Sequence, residues 1–259
     1  MELPTTAASG DPSPETRSSA RPSSPTGPRR SGESSSGKVS ARRRRRAAKL
    51  FKFDRSLGAR YVAGADEAGR GSLAGPLVAA AVLFDYASFS MSDRRALGQL
   101  NDSKTRSEAE REELFPVIVR AAARVAVTAR CARGIDSRGL HVTNLDALAK
   151  TLERVAGAAD PGERVCLTDG FPVRHCQVEH RAVINGDATS AAIAAASVIA
   201  KVTRDRYMRR AHNAYPEWDF GTNVGYSTPA HRAAIEANGI SDLHRRSFQS
   251  IAYSQLELG

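Results

Sequence analysis

An α/β domain with a mixed sheet, followed by a helical C-terminal part, is the fold this sequence predicts. Three observations lead there. Residues 77–84 (LVAAAVLF) form a nearly continuous apolar run of strand length, the pattern of a strand covered on both faces. Shorter apolar runs at residues 61–65 (YVAGA), 124–131 (RVAVTARC), 164–168 (RVCLT) and 179–184 supply further strands. Between and after them lie stretches with helical spacing, above all an Ala-rich one over 188–214 that turns basic toward its end, as the helix dipole favours.

The elements follow in order. Residues 1–40 are Ser, Pro, Gly and Thr with almost no large apolar side chain, so they cannot bury enough surface to offset the entropy of ordering. A disordered basic tail is therefore expected over 1–50, with the folded body over 51–259 and its helical C-terminal part from about 211. The run Arg42-Arg43-Arg44-Arg45-Arg46 fits either a phosphate contact or a solvated charge block. After the first strand, Gly69-Arg70-Gly71-Ser72 reads as a turn. Residues 105–120 read as a helix, as do 144–155 with Leu145, Leu148 and Leu152 on one face and 229–237 near the end.

Composition narrows the function. The chain has 259 residues, enough for one large domain or two small ones. Residues 1–49 hold 11 of the 38 Lys and Arg but only 4 of the 28 Asp and Glu, so +7 of the net +10 sits in the tail. The body is only mildly basic. No apolar run approaches the roughly 20 residues of a membrane span, and the N-terminus has no apolar signal stretch. Cys131, Cys166 and Cys176 lack a CxxC spacing, which argues against a disulfide framework or zinc ribbon and fits a reducing cytoplasm. The six histidines show no zinc-like spacing, there is no GxSxG nucleophile elbow, and Gly69-Arg70-Gly71 is not followed by the GK[ST] of a phosphate loop.

What remains is a set of carboxylates. Asp66 with Glu67, Asp169 and Asp187 each stand where an apolar strand gives out beside a glycine (Gly64, Gly170, Gly186). Taken singly, each also fits a turn residue or a helix cap, Asp187 at the start of the long helix among them. If the strands are neighbours, four anions converge, and they cannot all stay ionised without a counter-charge. Hard oxygen donors call for Mg²⁺ or Mn²⁺, and a pair of such ions suits phosphodiester hydrolysis.

The wording of these segments adds to their spacing. Residues 64–76 (GADEAGRGSLAGP), Asp102-Ser103-Lys104, Asp169-Gly170, Gly186-Asp187 and 195–205 (AASVIAKVTRD) resemble, in order, the motifs of ribonuclease HII, the type 2 ribonuclease H. Residues 225–231 (GYSTPAH) are similar to that family's GYGTxxH segment, with Ser227 and Pro229 as departures. The resemblance covers residues 61–242 and leaves the tail outside.

It implies a ribonuclease H-like fold with a five-stranded mixed sheet, flanking helices and a helical C-terminal extension. It implies that Asp66, Glu67, Asp169 and Asp187 are catalytic metal ligands for Mg²⁺ or Mn²⁺. It further implies hydrolysis of RNA in RNA–DNA hybrids and 5′ to single ribonucleotides in duplex DNA, leaving a 5′-phosphate and a 3′-hydroxyl. Gly69, Arg70 and Gly71 would sense the 2′-hydroxyl, Tyr226 would stack on the next sugar, and Ser103 and Lys104 would contact backbone phosphate. Lys201 and Arg204, one turn apart, would line the same groove, and Asp205 would pair with Arg209. A cytoplasmic monomer acting on nucleic acid is expected, with Gln255-Leu256-Glu257-Leu258 similar to a sliding-clamp-binding motif. The competing readings are a ribonuclease HIII-like enzyme and a non-catalytic nucleic-acid-binding protein driven by the arginine run.

Overall fold

The computed structural model describes residues 35–100 and 106–248. Five strands form one sheet in the order β3-β2-β1-β4-β5. They are β1 (Tyr61–Ala68), β2 (Leu77–Asp85), β3 (Arg124–Arg130), β4 (Arg164–Asp169) and β5 (Arg181–Val183). The β2 strand is antiparallel to β1 and β3, whereas β1, β4 and β5 run parallel, so the sheet is mixed as expected.

Eight α-helices accompany it among the described residues: α1 (Ser35–Ser56), α2 (Met91–Ala96), α3 (Glu108–Ala121), α4 (Ala132–Arg138), α5 (Leu140–Ala156), α6 (Ala191–His212), α7 (Phe220–Asn223) and α8 (Pro229–Asn238). Every residue of β2 is buried, and its alternation divides the core. Val78, Ala80, Val82 and Phe84 pack with α6 and α1, while Ala79, Ala81 and Leu83 pack with α5 on the opposite face. Along β1 the same parity puts Val62 on the α6 side and Ala63 and Ala65 on the α5 side. Asp66 shares the parity of Val62, which aims it at α6.

The Ala-rich sequence of α6 now has a reason. The helix lies so close to β1 that a Cβ on Gly64 would sit 2.2 Å from the backbone nitrogen of Ile193. Larger side chains on that stripe would hold the helix away from the strand. The helix begins later than its composition suggests, at Ala191. Its N-cap is Ser190, whose hydroxyl accepts from the Ile193 amide, so Asp187 is not the cap.

The N-terminal boundary moves in the other direction. The tail was expected to extend through residue 50, but α1 begins at Ser35, and Ala47 and Leu50 are buried beside Phe51 in the α6-side core. Behind the arginine run, Ala47, Leu50 and Phe51 recur at helical spacing and give α1 an apolar stripe to bury. Asp54 then fastens α1 to α6, its buried carboxylate accepting from the Ala192 amide at 3.0 Å and from the Tyr86 hydroxyl at 2.8 Å. Of the remaining differences, α2, α4 and α7 are short helices that the periodicity missed, and α5 begins one turn before Asn144.

Candidate active site

The β1 strand runs on through Asp66 and Glu67, which pair with Ala80 and Ala79 of β2. Its ladder with β4 stops earlier, at Ala65 opposite Thr168. Beyond that point the two parallel strands part, and the next residue on each is an aspartate, Asp66 and Asp169. A crevice at the carboxyl ends of adjacent parallel strands is where open α/β sheets build their sites.

A cavity of about 350 Å³ opens there, lined by Asp66, Glu67, Gly69, Arg70, Gly71, Asp169, Ser197, Lys201 and Tyr226. Asp66 is 4 % exposed. Burial first, and then the charges of Glu67 and Asp169, push its carboxyl well above the usual carboxylate range, while a hydrogen bond from Ser197 opposes the shift. The Glu67 amide also donates to Asp66 at 2.7 Å. Asp169 is tied to the next turn, because the Gly186 amide donates to its Oδ1 at 2.6 Å. That bond sets Asp187, itself buried, in the turn adjoining Asp169, although Asp187 is not among the residues lining the cavity.

Three of the four expected carboxylates therefore meet in one cavity and the fourth lies in the turn bonded to it. Among the described residues no three His, Cys, Asp or Glu side chains already stand close enough together to enclose an ion. The donor set nevertheless fits a hard divalent cation in kind: carboxylate oxygens, with Asp66 raised first by burial and then by the charges of its neighbours.

The Gly69-Arg70-Gly71 turn closes one side. It is braced from behind by two buried arginines. Arg204, wholly buried, donates to the carbonyls of Pro76, Ala74 and Val224 and to the Ser72 hydroxyl, which in turn donates to the Gly69 carbonyl. Arg245 donates to the carbonyls of Arg70 and Gly75. Burial lowers the pKa of both guanidinium groups, Arg245 to about 9 with the charge of Arg204 adding to the effect. Carbonyl oxygens from the two loops meet the cost of holding these cations out of water. Arg204 thus does not line the groove as expected; it shapes the groove wall.

Lys201 does line it. Its ammonium lies 2.8 Å from Asp205 and 4.8 Å from the centre of the Tyr226 ring. Asp205 is structural as expected, but its partners are Lys201, Arg111 and, at 3.9 Å, Arg204, while Arg209 pairs instead with Glu108 and Glu112. Tyr226 is half-buried at the cavity edge, with the Arg204 guanidinium 5.0 Å from its ring centre. Arg70 reaches Glu67 at 3.8 Å and lies over the half-exposed ring of Phe171. Ser103, Lys104 and the 255–258 segment lie outside the described residues.

Ser197, Arg204 and Arg245 are the residues whose positions sequence reading did not supply. The spacing of Ser197 and Lys201 on one helix face was available as a signal, since four residues apart they share the face of α6 that carries Lys201 into the cavity. Nothing local marks Arg245.

Known proteins resemble this chain in both sequence and fold. The family model for Ribonuclease HII matches residues 63–251. The ribonuclease HII of Frankia casuarinae is 45% identical over 211 residues, covering 80% of this chain and 84% of that one. Among solved structures, ribonuclease H2 from Pyrococcus horikoshii superposes with a TM-score of 0.62 at 25% identity, over 76% of this chain and 98% of that chain. Ribonuclease HII from Archaeoglobus fulgidus, solved in complex with PCNA, gives 0.61 at 27% identity, over 74% and 95%. With the split between β1 and β4, the acidic cavity and these matches together, the chain belongs to the ribonuclease HII family and is an RNA–DNA hybrid ribonuclease.

Proposed function

We propose that this enzyme cuts duplexes on the 5′ side of a ribonucleotide, including a single ribonucleotide embedded in DNA, with Asp66, Glu67, Asp169 and Asp187 holding two divalent ions, Mg²⁺ or Mn²⁺. The observation that carries the reading is the meeting of Asp66 and Asp169 where β1 and β4 part, with Glu67 at the same cavity, so that three carboxylates share one space and their like charges call for a positive one. Bound divalent ions would supply that charge, acidify the attacking water and stabilise the departing oxygen.

The chain's own residues do the rest. The carboxylates of β1 and β4 would hold those ions, and Ser197 keeps Asp66 in place through its hydrogen bond. Water oxygen bonds to phosphorus, the bond from phosphorus to the 3′-oxygen breaks, and that oxygen takes a proton. The products are a 3′-hydroxyl and a 5′-phosphate on the ribonucleotide. Gly69, Arg70 and Gly71 meet the 2′-hydroxyl that distinguishes RNA from DNA, and their bracing by Arg204 and Arg245 supports that role because a rigid turn discriminates better than a mobile one. Tyr226 stacks on the following sugar, and Lys201 and Asp205 hold its ring side in position. Ser103 and Lys104 contact flanking phosphate. The enzyme works as a cytoplasmic monomer. Residues 255–258 contact a sliding clamp, a role in keeping with the PCNA complex of the Archaeoglobus relative.

The test is the product map on a duplex with one ribonucleotide. A nick on its 5′ side in Mg²⁺ or Mn²⁺ is expected, with none in EDTA; equal cutting in EDTA overturns the metal reading. Asp66→Asn should lower cleavage by a factor of about 10³ or more while duplex affinity changes only a few-fold. Cutting of long hybrids without cutting at a single ribonucleotide would remove the junction reading and leave the family's hybrid activity.

A further inference from the structure

A second cleft, of about 440 Å³, lies between α1 and the α2 region and shares no lining residue with the acidic cavity. Four arginines line it: Arg44 and Arg55 from α1, Arg94 and Arg95 from α2. All four are exposed, and within the described residues none has an ion-pair partner. The two nearby acids are committed elsewhere. Asp93 closes the capping box of α2 with Ser90, and Asp54 is buried beneath the start of α6.

We propose that this cleft is a second nucleic-acid site, one that takes backbone phosphates of a duplex outside the catalytic groove. Arg44 and Arg55 stand 11 positions apart on the stripe of α1 that also carries Ala47, Ala48 and Phe51. Eleven residues of helix span about 16 Å. One phosphate cannot bridge that distance, whereas a duplex presents a charge about every 1.7 Å of its axis. Planar guanidinium forks match phosphate oxygens two at a time. Between the arginines lie Ala47, Ala48, Phe51, Gly98 and Gln99, so the four guanidinium groups are the charged groups of the cleft. The helix is also fixed in place: Leu50 and Phe51 are in the core, and Asp54 is bonded to the first turn of α6, the helix that carries Ser197 and Lys201. Phosphates held here are therefore held at a set position relative to the catalytic helix.

The experiment is fluorescence anisotropy of the full chain with an all-DNA duplex in EDTA, titrated at several salt concentrations. That probe contains no ribonucleotide and no metal, so failure here leaves the cleavage reading standing. The variant R44Q/R55Q/R94Q/R95Q should bind about tenfold or more weakly near 0.1 M salt. Its slope of log affinity against log salt should be shallower by about 3.6, near 0.9 for each lost phosphate contact. Because the changes are on exposed side chains, its melting temperature should match the parent, and R94Q/R95Q alone should show about half the change in slope. Unchanged affinity and slope would overturn the proposal. So would polyglutamate displacing the duplex from the parent chain at equal charge concentration, which would reassign the cleft to an acidic protein partner.

Discussion

Gly69 shows how much a single position carries. Its φ is +85°, and a Cβ there would lie 2.0 Å from Arg204 Nε. Gly69→Ala would have to strain the backbone and displace the arginine that braces the turn. A loss of about 2–4 kcal/mol is expected, which for a chain of this size lowers Tm by roughly 5–10 °C. Two residues on, a Cβ at Gly71 would meet nothing, so Gly71→Ala should leave Tm unchanged. Paired thermal melts decide it, and equal Tm values for both variants would refute the bracing role of Arg204. At this scale the sequence pointed to the carboxylates and the turn, because their chemistry is written in their types and in the adjoining glycines. It placed Arg204 in the groove, because a charged residue one helical turn from Lys201 reads as solvent-facing until the loops that cover it are seen.

The segment after α6 is held by elements far apart in sequence. Phe220 packs with Ala74 and Met208, and two histidines join α8 to the chain beyond it. His231 Nδ1 donates to the Tyr226 carbonyl and His244 Nδ1 accepts from the Ser241 amide, so the 3.1 Å contact between their Nε2 atoms is a bond from neutral His244 to neutral His231. Burial lowers both pKa values, and His231 helps bring His244 down to about 4. The unfolded imidazole titrates near 6.5, so it takes up its proton first as pH falls. The pair's contribution is therefore present above pH 6.5 and is lost between there and about 4, on the order of 3 kcal/mol for His244. His244→Gln should be less stable at pH 7 and should show a flatter stability profile across that window by denaturant titration. Parallel profiles for variant and parent would exclude the pair as the source. Because His231 holds the Tyr226 carbonyl, the same acid step would loosen the cavity edge. The helical spacing of α8 was legible in the sequence; the pairing of residues 231 and 244 was not.

For the whole molecule, the decisive element is α1. Removing residues 1–56 would strip Ala47, Leu50 and Phe51 from the core and the Asp54 bond from α6. Burial of a Leu or Phe is worth about 1.5–3 kcal/mol each. A chain starting at residue 57 should melt at least 10 °C below one starting at residue 35, or fail to stay soluble. Equal melting would return α1 to the tail. No helix among the described residues is long and apolar enough to cross a membrane.

The sequence by itself determined the class of fold, the positions of the five strands, the carboxylates and the glycine turn. Each of these follows from local pattern: alternation, apolar run length, or a residue type beside a glycine. Only the tertiary structure decided that β1 and β4 are neighbours that part after Ala65 and Thr168, which is what brings Asp66 and Asp169 together. It likewise decided that Arg204 and Arg245 are struts and that α1 belongs to the core. Strand order, the destination of a buried cation and the docking of a helix depend on contacts between residues tens to more than a hundred positions apart, and no window along the chain contains both partners.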